Sequence, residues 1–437
     1  MNPELRRNLW LEFSLHRLLA MPAVIALVTL LVLALSERDG SRHIAIAAGF
    51  GFLALVMVWG TRNAADSVLE EARSRTWDAQ RMSSIGPWAM TWGKLAGATA
   101  FTWYGGAMCV VLFVLAGSGR LEIPVLKTSV VMIAGAVLLH GMALNVGLLT
   151  AQKGLAGRAS GALAYPVFAV VLLGPATGWV TEASGDVRWW GWQFRQIDFI
   201  LASVIAFATW AAFGAYRTMC GELQLRTAPW ALAAFLCFMA AYLAGFLAVA
   251  HQAALGGAEA VLVCGLGVSL AAAYALLFAE RTGAMALRRL IARFERRQWR
   301  RALEELPGWP VAISLALLCA AGTALLDGAE PSAALREIRV ASIALALFAM
   351  RDAALLHVFA FARQPKRIEA VTLLYLALLY WLVPALLEAA GAETLARLVL
   401  PNVFARPGSA TAVMAVQAVL AVTIAAWRWR RNCRAPG

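Results

Sequence analysis

Two stretches of this chain repeat the same spacing of long apolar runs, and that spacing limits the fold more than any single motif. Six runs lie in the first half, at 17–36, 44–60, 95–117, 128–150, 160–180 and 198–216. Six more follow at 229–249, 259–279, 309–326, 338–360, 369–388 and 409–427. Each is about the ~20 residues that a helix, rising ~1.5 Å per residue, needs to cross ~30 Å of hydrocarbon. The segments between them measure 7, 34, 10, 9 and 17 residues in the first half and 9, 29, 11, 8 and 20 in the second. The pattern predicts an all-α polytopic membrane protein of 12 transmembrane helices, built as two six-helix repeats at 1–216 and 229–437 with a linker at 217–228. Six spans separate the two starts, so both repeats enter from the same side. They are therefore expected to be parallel, related by an axis along the membrane normal.

Composition excludes a soluble reading, since 61% of the 437 residues are hydrophobic and only 14% are charged. The net charge of +13 would fit nucleic acid only if the basic residues were gathered on a soluble surface. They are not. With the N-terminus placed in the cytoplasm, 27 of the 38 Lys and Arg fall in inner segments and 10 at the outer side, with Arg351 inside a span. That asymmetry is the positive-inside rule. It predicts a multi-pass protein of the bacterial inner membrane with both termini cytoplasmic, attracted to anionic lipid and with no nucleic-acid partner.

The six cysteines, Cys109, Cys220, Cys237, Cys264, Cys319 and Cys433, fall in spans or inner segments, so no disulfide framework is expected. No CxxC pair, no HExxH and no His–carboxylate cluster is present, and neither a metal nor another cofactor is expected on this chain. The first apolar run could imitate a signal peptide ending at Ala34-Leu35-Ser36, but its length favours an uncleaved anchor.

Residues 3–16 place Leu5, Leu9 and Phe13 on one helical face, with Trp10 beside it and Arg6 and Arg7 off it. This fits either a helix lying in the inner membrane surface or a plain extension of the first span. The longest segment of each half follows its second span. In 61–94 the run of Arg62, Asp66, Glu70, Glu71, Arg73 and Arg75 predicts that the second helix continues into water, with Ser83 or Ser84 capping the next helix and Pro87 just inside it. In 280–308 Leu287, Leu290, Ile291 and Phe294 follow helical spacing among eight arginines. That is a basic amphipathic helix, seated at headgroups or docked on a partner. Both halves also carry Leu-Leu-His in their fourth span, at His140 and His357, and Phe194-Arg195 is matched by Phe404 with Arg406.

The 61–94 segment resembles the permease subunits of ABC-2 type exporters. Their corresponding segment reads as a charged run, Gly-Thr-Leu-Glu, a Leu pair, Thr-Pro, and Gly-Lys opening the third helix. Here Glu71 and Arg73 supply the charged run, Thr76-Trp77-Asp78 stands at Thr-Leu-Glu, and Gly93-Lys94 closes the pattern 18 residues on. The departures are Arg75 for Gly, Trp77 for Leu, Arg81-Met82 for the Leu pair and Ser83-Ser84 for Thr-Pro. The resemblance covers 1–216 by motif and 229–427 by layout alone, so Arg289, Arg293 and Arg297 become coupling candidates only through the duplication. It also implies short helices dipping into the membrane at 181–197, where Trp189, Trp190, Trp192 and Phe194 equally suit an interfacial aromatic belt.

What the resemblance implies is a complete permease in one chain. The sequence has no GxxxxGK[ST], so ATP and Mg would be held by a separate ABC ATPase subunit, most simply a homodimer. That subunit would press on the loops around Thr76–Met82 and Arg288–Arg301, driving alternating access.

Within the membrane, Arg351 and Asp352 lie near the middle of the tenth run. An Arg there costs about 2.5–3.5 kcal/mol on insertion scales, so it needs a partner facing the bundle. Neighbours on a helix point about 100° apart. The two are therefore not expected to satisfy each other fully, and Glu388, backbone carbonyls or water are the candidates for further partners. His140, Asn145 and His357 are further candidates for an internal path or for packing. Gly105, Gly106, Gly135 and Gly141 suit close helix approach, and Pro166, Pro175 and Pro384 suit kinks.

Two other functions share these features. An ion-coupled secondary transporter can also have a six-plus-six plan, although its long loop would follow span six. A membrane-embedded lipid-modifying enzyme would need a nucleophile, metal set or paired base, for which five scattered histidines offer little.

Overall fold

A computed structural model describes residues 2–36, 39–152, 185–225, 227, 229–247, 257–280, 284–325, 333–362, 368–401 and 407–433. Among these, ten helices are long and apolar enough to cross a membrane, and Ala231–Leu247 is apolar but only 17 residues long. The chain is a multi-pass, helical membrane protein. The run at 160–180, with Pro166 and Pro175, lies outside the described residues, as do Phe404 and Arg406. The chain divides into two compact units, one of Met1–Val187 with Gln193–Thr227, the other of Arg188–Trp192 with Ala228–Gly437.

The first unit opens with a short helix, Pro3–Glu12. Asn2 caps it by accepting from the Glu4 and Leu5 amides, Pro3 fills the first turn, and Glu4 complements the helix dipole there. Its buried face is polar, carrying Glu4 and Asn8, while Trp10 and Leu11 stand 82% and 59% exposed. In a membrane Trp10 and Leu11 would then face lipid, while Leu5, Leu9 and Phe13 stay half-buried. Ser14 caps the span Leu15–Leu35, in which Met21 alone is buried.

Gly40–Arg73 is one helix of 34 residues, about 51 Å long, so it overruns the hydrocarbon by several turns. A π stretch, Leu53–Gly60, interrupts its α pattern. Ser74 and left-handed Arg75 end it, and the short helices Trp77–Arg81 and Pro87–Trp92 follow. Gly86, in extended conformation, stands at the cap of the latter. Ser83 instead turns its hydroxyl to the Gln80 carbonyl, so neither serine caps this helix. A π turn, Gly93–Gly97, leads to Ala100–Gly117, then Val125–Gln152 and Gln196–Glu222.

Before that last helix the chain forms a β-hairpin, Asp186–Trp189 with Trp192–Arg195, where short helices were expected. Trp190 and Gly191 at its tip have φ of 52 and 81, the two positive values of a type I′ turn. Aromatic residues on both sides favour strands. The tip belongs to the second unit, where the Trp189 and Trp190 indoles donate to the Tyr242 and Ala241 carbonyls at 2.9 and 3.2 Å.

The second unit runs through Ala231–Leu247, Gly257–Ala279, Ala284–Glu295, Trp299–Glu304, Gly308–Leu325, Ala333–Ala360, Ile368–Ala377, Glu393–Val399 and Pro407–Asn432. After Ile368–Ala377 a π turn, Leu378–Leu382, leads directly into Val383–Ala389. Pro384 follows that turn, where the lost amide hydrogen bond is absorbed by the wider winding. The Glu280 carboxylate accepts from the Gly308 amide at 2.8 and 2.9 Å, closing the base of the segment between two spans.

Candidate functional site

At the polar end of the first unit, the charged root of the long helix folds back on its own spans. Lys94, 1% exposed, forms an ion pair with Glu71, stands 3.6 Å from Glu4 and lies 5.2 Å over the Trp77 ring. A buried ammonium is tolerated only when paired. Arg7 completes the cluster, reaching Glu71 at 2.5 Å and Glu4 at 3.1 Å, and Gln80 donates to Glu71 at 2.7 Å.

Glycine makes this closeness possible. Residues 93 and 97 are one turn apart, as are Glu4 and Asn8, and the two pairs face each other. A Cβ at Gly97 would sit 2.8 Å from the Asn8 Cβ, and one at Gly93 would sit 3.1 Å from the Leu5 amide nitrogen. Asn8 also donates to the Gly93 carbonyl at 3.1 Å. Gly93-Lys94, singled out in the sequence, thus holds the N-terminal helix through its glycine and the charge cluster through its lysine.

Trp77 is buried among Val68, Met90, Leu95, Leu144, Leu148 and Met219, and its indole donates to Glu222 at 3.1 Å. Arg81 donates to the Glu222 carbonyl at 3.0 Å. Thr76 bonds to the Glu71 carbonyl, and Arg73 lies at the exposed end of the helix. Asp78 and Met82 project outward, the latter 85% exposed. Of the coupling candidates around 71–82, Glu71, Trp77 and Arg81 build the elbow, while Asp78 and Met82 lie on its outer surface. Beside it a cavity of about 900 Å³ is lined by Arg7, Arg17, Arg62, Glu70, Glu71 and Lys94.

A second elbow in the other unit repeats the backbone of the first. The amides of Thr76 and Gln298 reach back to the carbonyls of Glu71 and Arg293, and those of Arg75 and Arg297 to Ala72 and Phe294. Arg75 and Arg297 have φ of 59 and 54, and each precedes by two residues a tryptophan that opens a short helix. This is the Schellman ending, whose left-handed position favours glycine. Arg75 occupies the position where the resembled pattern carries Gly. Arg289 and Arg297 are exposed, whereas Arg293 pairs with Glu305 at 2.6 Å.

Arg351 and Asp352 bond to each other, and each takes further partners as well. The guanidinium Nε and Nη2 donate to Asp352 Oδ1 at 2.9 and 2.8 Å, because the long arginine side chain curls back across the helix surface. Asp352 Oδ2 accepts from the Tyr274 and Tyr380 hydroxyls at 2.7 and 2.8 Å, and Arg351 donates to Gln417 at 2.7 Å. Glu388 is exposed and takes no part. Tyr274, Tyr380 and Gln417 escaped the sequence reading. The signal was there, since each is a polar group inside an otherwise apolar helix.

His140 is buried and its Nε2 donates to the Val56 carbonyl at 2.8 Å, inside the π stretch where bonding shifts off the α ladder. His357 bonds to Ala353 of its own helix at 2.7 Å and packs on Trp309, so the two Leu-Leu-His runs place their rings differently. Asn145 ties its helix to the Gln196–Glu222 helix through Ala211 and Thr218. His140 also lines an apolar cavity of about 520 Å³ with Leu9, Phe13, Trp92, Trp103 and Tyr104. No group of His, Cys, Asp and Glu suited to a metal ion occurs among the described residues. No protein-family model, curated protein or solved structure matches the chain.

Proposed function

We propose that the chain is the membrane-spanning permease of an ATP-driven exporter, with ATP and Mg held by a separate ABC ATPase subunit, in the bacterial inner membrane with both termini cytoplasmic. The observation that carries this reading is the first elbow. It is a rigid lever: Lys94, Glu71, Trp77 and Glu222 lock the helical outgrowth to the roots of the spans, so that force on its tip must move them. The tip itself, Asp78 and Met82, is free to meet a partner. The second elbow shares only the backbone ending, which Gln224 and Gly391 also carry, and its Trp299 is 58% exposed, so the reading rests on the first elbow.

The cargo this arrangement favours is a lipid or an amphipathic compound, on the strength of the aromatic cavity beside His140. Asp352 speaks against the ion-coupled alternative. A carboxylate that couples transport to a proton or sodium ion must exchange partners, and both oxygens of Asp352 are engaged by an arginine and two tyrosines.

The test is Asp78→Asn combined with Met82→Glu, both on the outer surface, which gives up only the exposed pair of Asp78 with Arg81 at 3.5 Å and keeps Arg81 on Glu222. The variant is expected to keep its fold and to lose both a co-purifying ATPase and substrate-stimulated hydrolysis. Proton- or sodium-driven uptake by the purified chain alone in liposomes would refute the reading.

A further inference from the structure

The two elbows share a backbone and differ in chemistry. The first is nearly neutral, with five basic against four acidic residues in 61–94, and its tryptophan is buried at 5% exposure. The second has eight arginines against four glutamates in 280–308, and Trp299 is 58% exposed. The apolar face of Ala284–Glu295 is already occupied within its own unit, with Leu290 buried and Leu287 packed near Phe361 and Cys433. What remains outward is mostly cationic and aromatic, with Glu295 and Met285 beside it. Arg289, Arg296 and Arg297 are exposed and have no carboxylate partner among the described residues, Arg300 is 82% exposed, and Trp299 and Leu303 lie one turn apart beside them.

Chain length fixes where this surface can be. Five residue steps separate Ala279, the end of one span, from Ala284, and four separate Glu304 from Gly308, the start of the next. At up to ~3.6 Å per residue the two ends of the elbow lie within about 18 and 14 Å of the ends of those spans. The Glu280 bond to Gly308 draws its two ends together. Exposed arginines on a segment tethered so shortly to two spans lie near the phosphate layer, and an exposed tryptophan prefers that same layer.

We infer that the second elbow is a binding surface for anionic phospholipid headgroups, held by Arg289, Arg296, Arg297 and Arg300 and seated by Trp299 and Leu303. The inference rests on the chain spanning a membrane and stands whether or not the transport reading does. Each arginine near an anionic surface strengthens binding by roughly fivefold. The surface therefore senses lipid charge in a way the first elbow does not.

Hydroxyl-radical footprinting of the full chain in nanodiscs tests this residue by residue. Oxidation of Trp299 is expected to fall at least fivefold when phosphatidylglycerol replaces a third of the phosphatidylcholine, and to recover in high salt. Buried Trp77 should not change. Arg289→Gln with Arg296→Gln and Arg297→Gln should keep Trp299 at its phosphatidylcholine level in both lipids. The salt series on the unaltered chain decides the matter if that variant folds poorly. Equal oxidation in the two lipids, or protection that arises only when another protein is added, would overturn the proposal.

Discussion

Glu4 and Lys94 stand 3.6 Å apart, both side chains almost wholly removed from solvent, so that the second turn of the third-span helix is held by the first turn of the chain. Removing one member of a buried pair leaves the other uncompensated, at a typical cost of ~3–5 kcal/mol. Lys94→Met is expected to cost the lower part of that range, because Arg7 still serves both Glu4 and Glu71. Thermal unfolding in nanodiscs measures it. An unchanged midpoint would mean that the cluster contributes nothing to the fold.

The glycines beneath the N-terminal helix make a separate prediction. Gly97→Ala adds a methyl group 2.8 Å from the Asn8 Cβ, closer than two carbon atoms can rest. The helix must move off. Hydrogen exchange at residues 3–12 should accelerate at least tenfold while the spans stay protected. Slow exchange in the variant would show that the helix is held elsewhere.

Arg75 and Arg297 bear left-handed strain that glycine would relieve. A non-glycine residue in this conformation costs roughly 1–2 kcal/mol, partly offset by the greater freedom glycine has when unfolded. Arg75→Gly and Arg297→Gly should each stabilise the chain by up to ~1 kcal/mol, and Arg75→Val should destabilise it by more. If glycine instead lowered the unfolding midpoint at both positions, the arginine side chains would have to be holding the elbows.

These positions also mark what sequence could and could not reveal. Apolar runs are long-range signals, so ten of them are found as long apolar helices close to their expected places, and Gly93-Lys94 was visible as a motif. The role of Glu4 was not, because nothing local says that the polar face of Pro3–Glu12 is the buried one. Amphipathic reasoning assumes apolar burial, and here the helix docks by charge and turns Trp10 and Leu11 outward. The hairpin at 186–195 was missed for a similar reason. Its tryptophans suit an interface in any conformation, and only the Trp190-Gly191 turn distinguishes the strand pairing. Arg351 and Asp352 were located, but their added partners Tyr274, Tyr380 and Gln417 were not, since backbone direction sets where a side chain starts and not where a long arginine ends.

That last pair permits a test of how the second unit is held together. Arg351→Met strands Asp352 against two tyrosine hydroxyls, and Asp352→Leu strands Arg351 against Gln417 and the faces of Phe348 and Tyr380. Each should cost ~3–5 kcal/mol, because a lone buried charge is worse than none. The double variant removes both charges and leaves only neutral groups unpaired, at ~1–3 kcal/mol each. It is therefore expected to be less destabilised than the sum of the singles by ~0.5–3 kcal/mol in a double-mutant cycle. Strict additivity would mean that the two residues do not share one network, and that Tyr274 and Tyr380 hold Asp352 without help from Arg351.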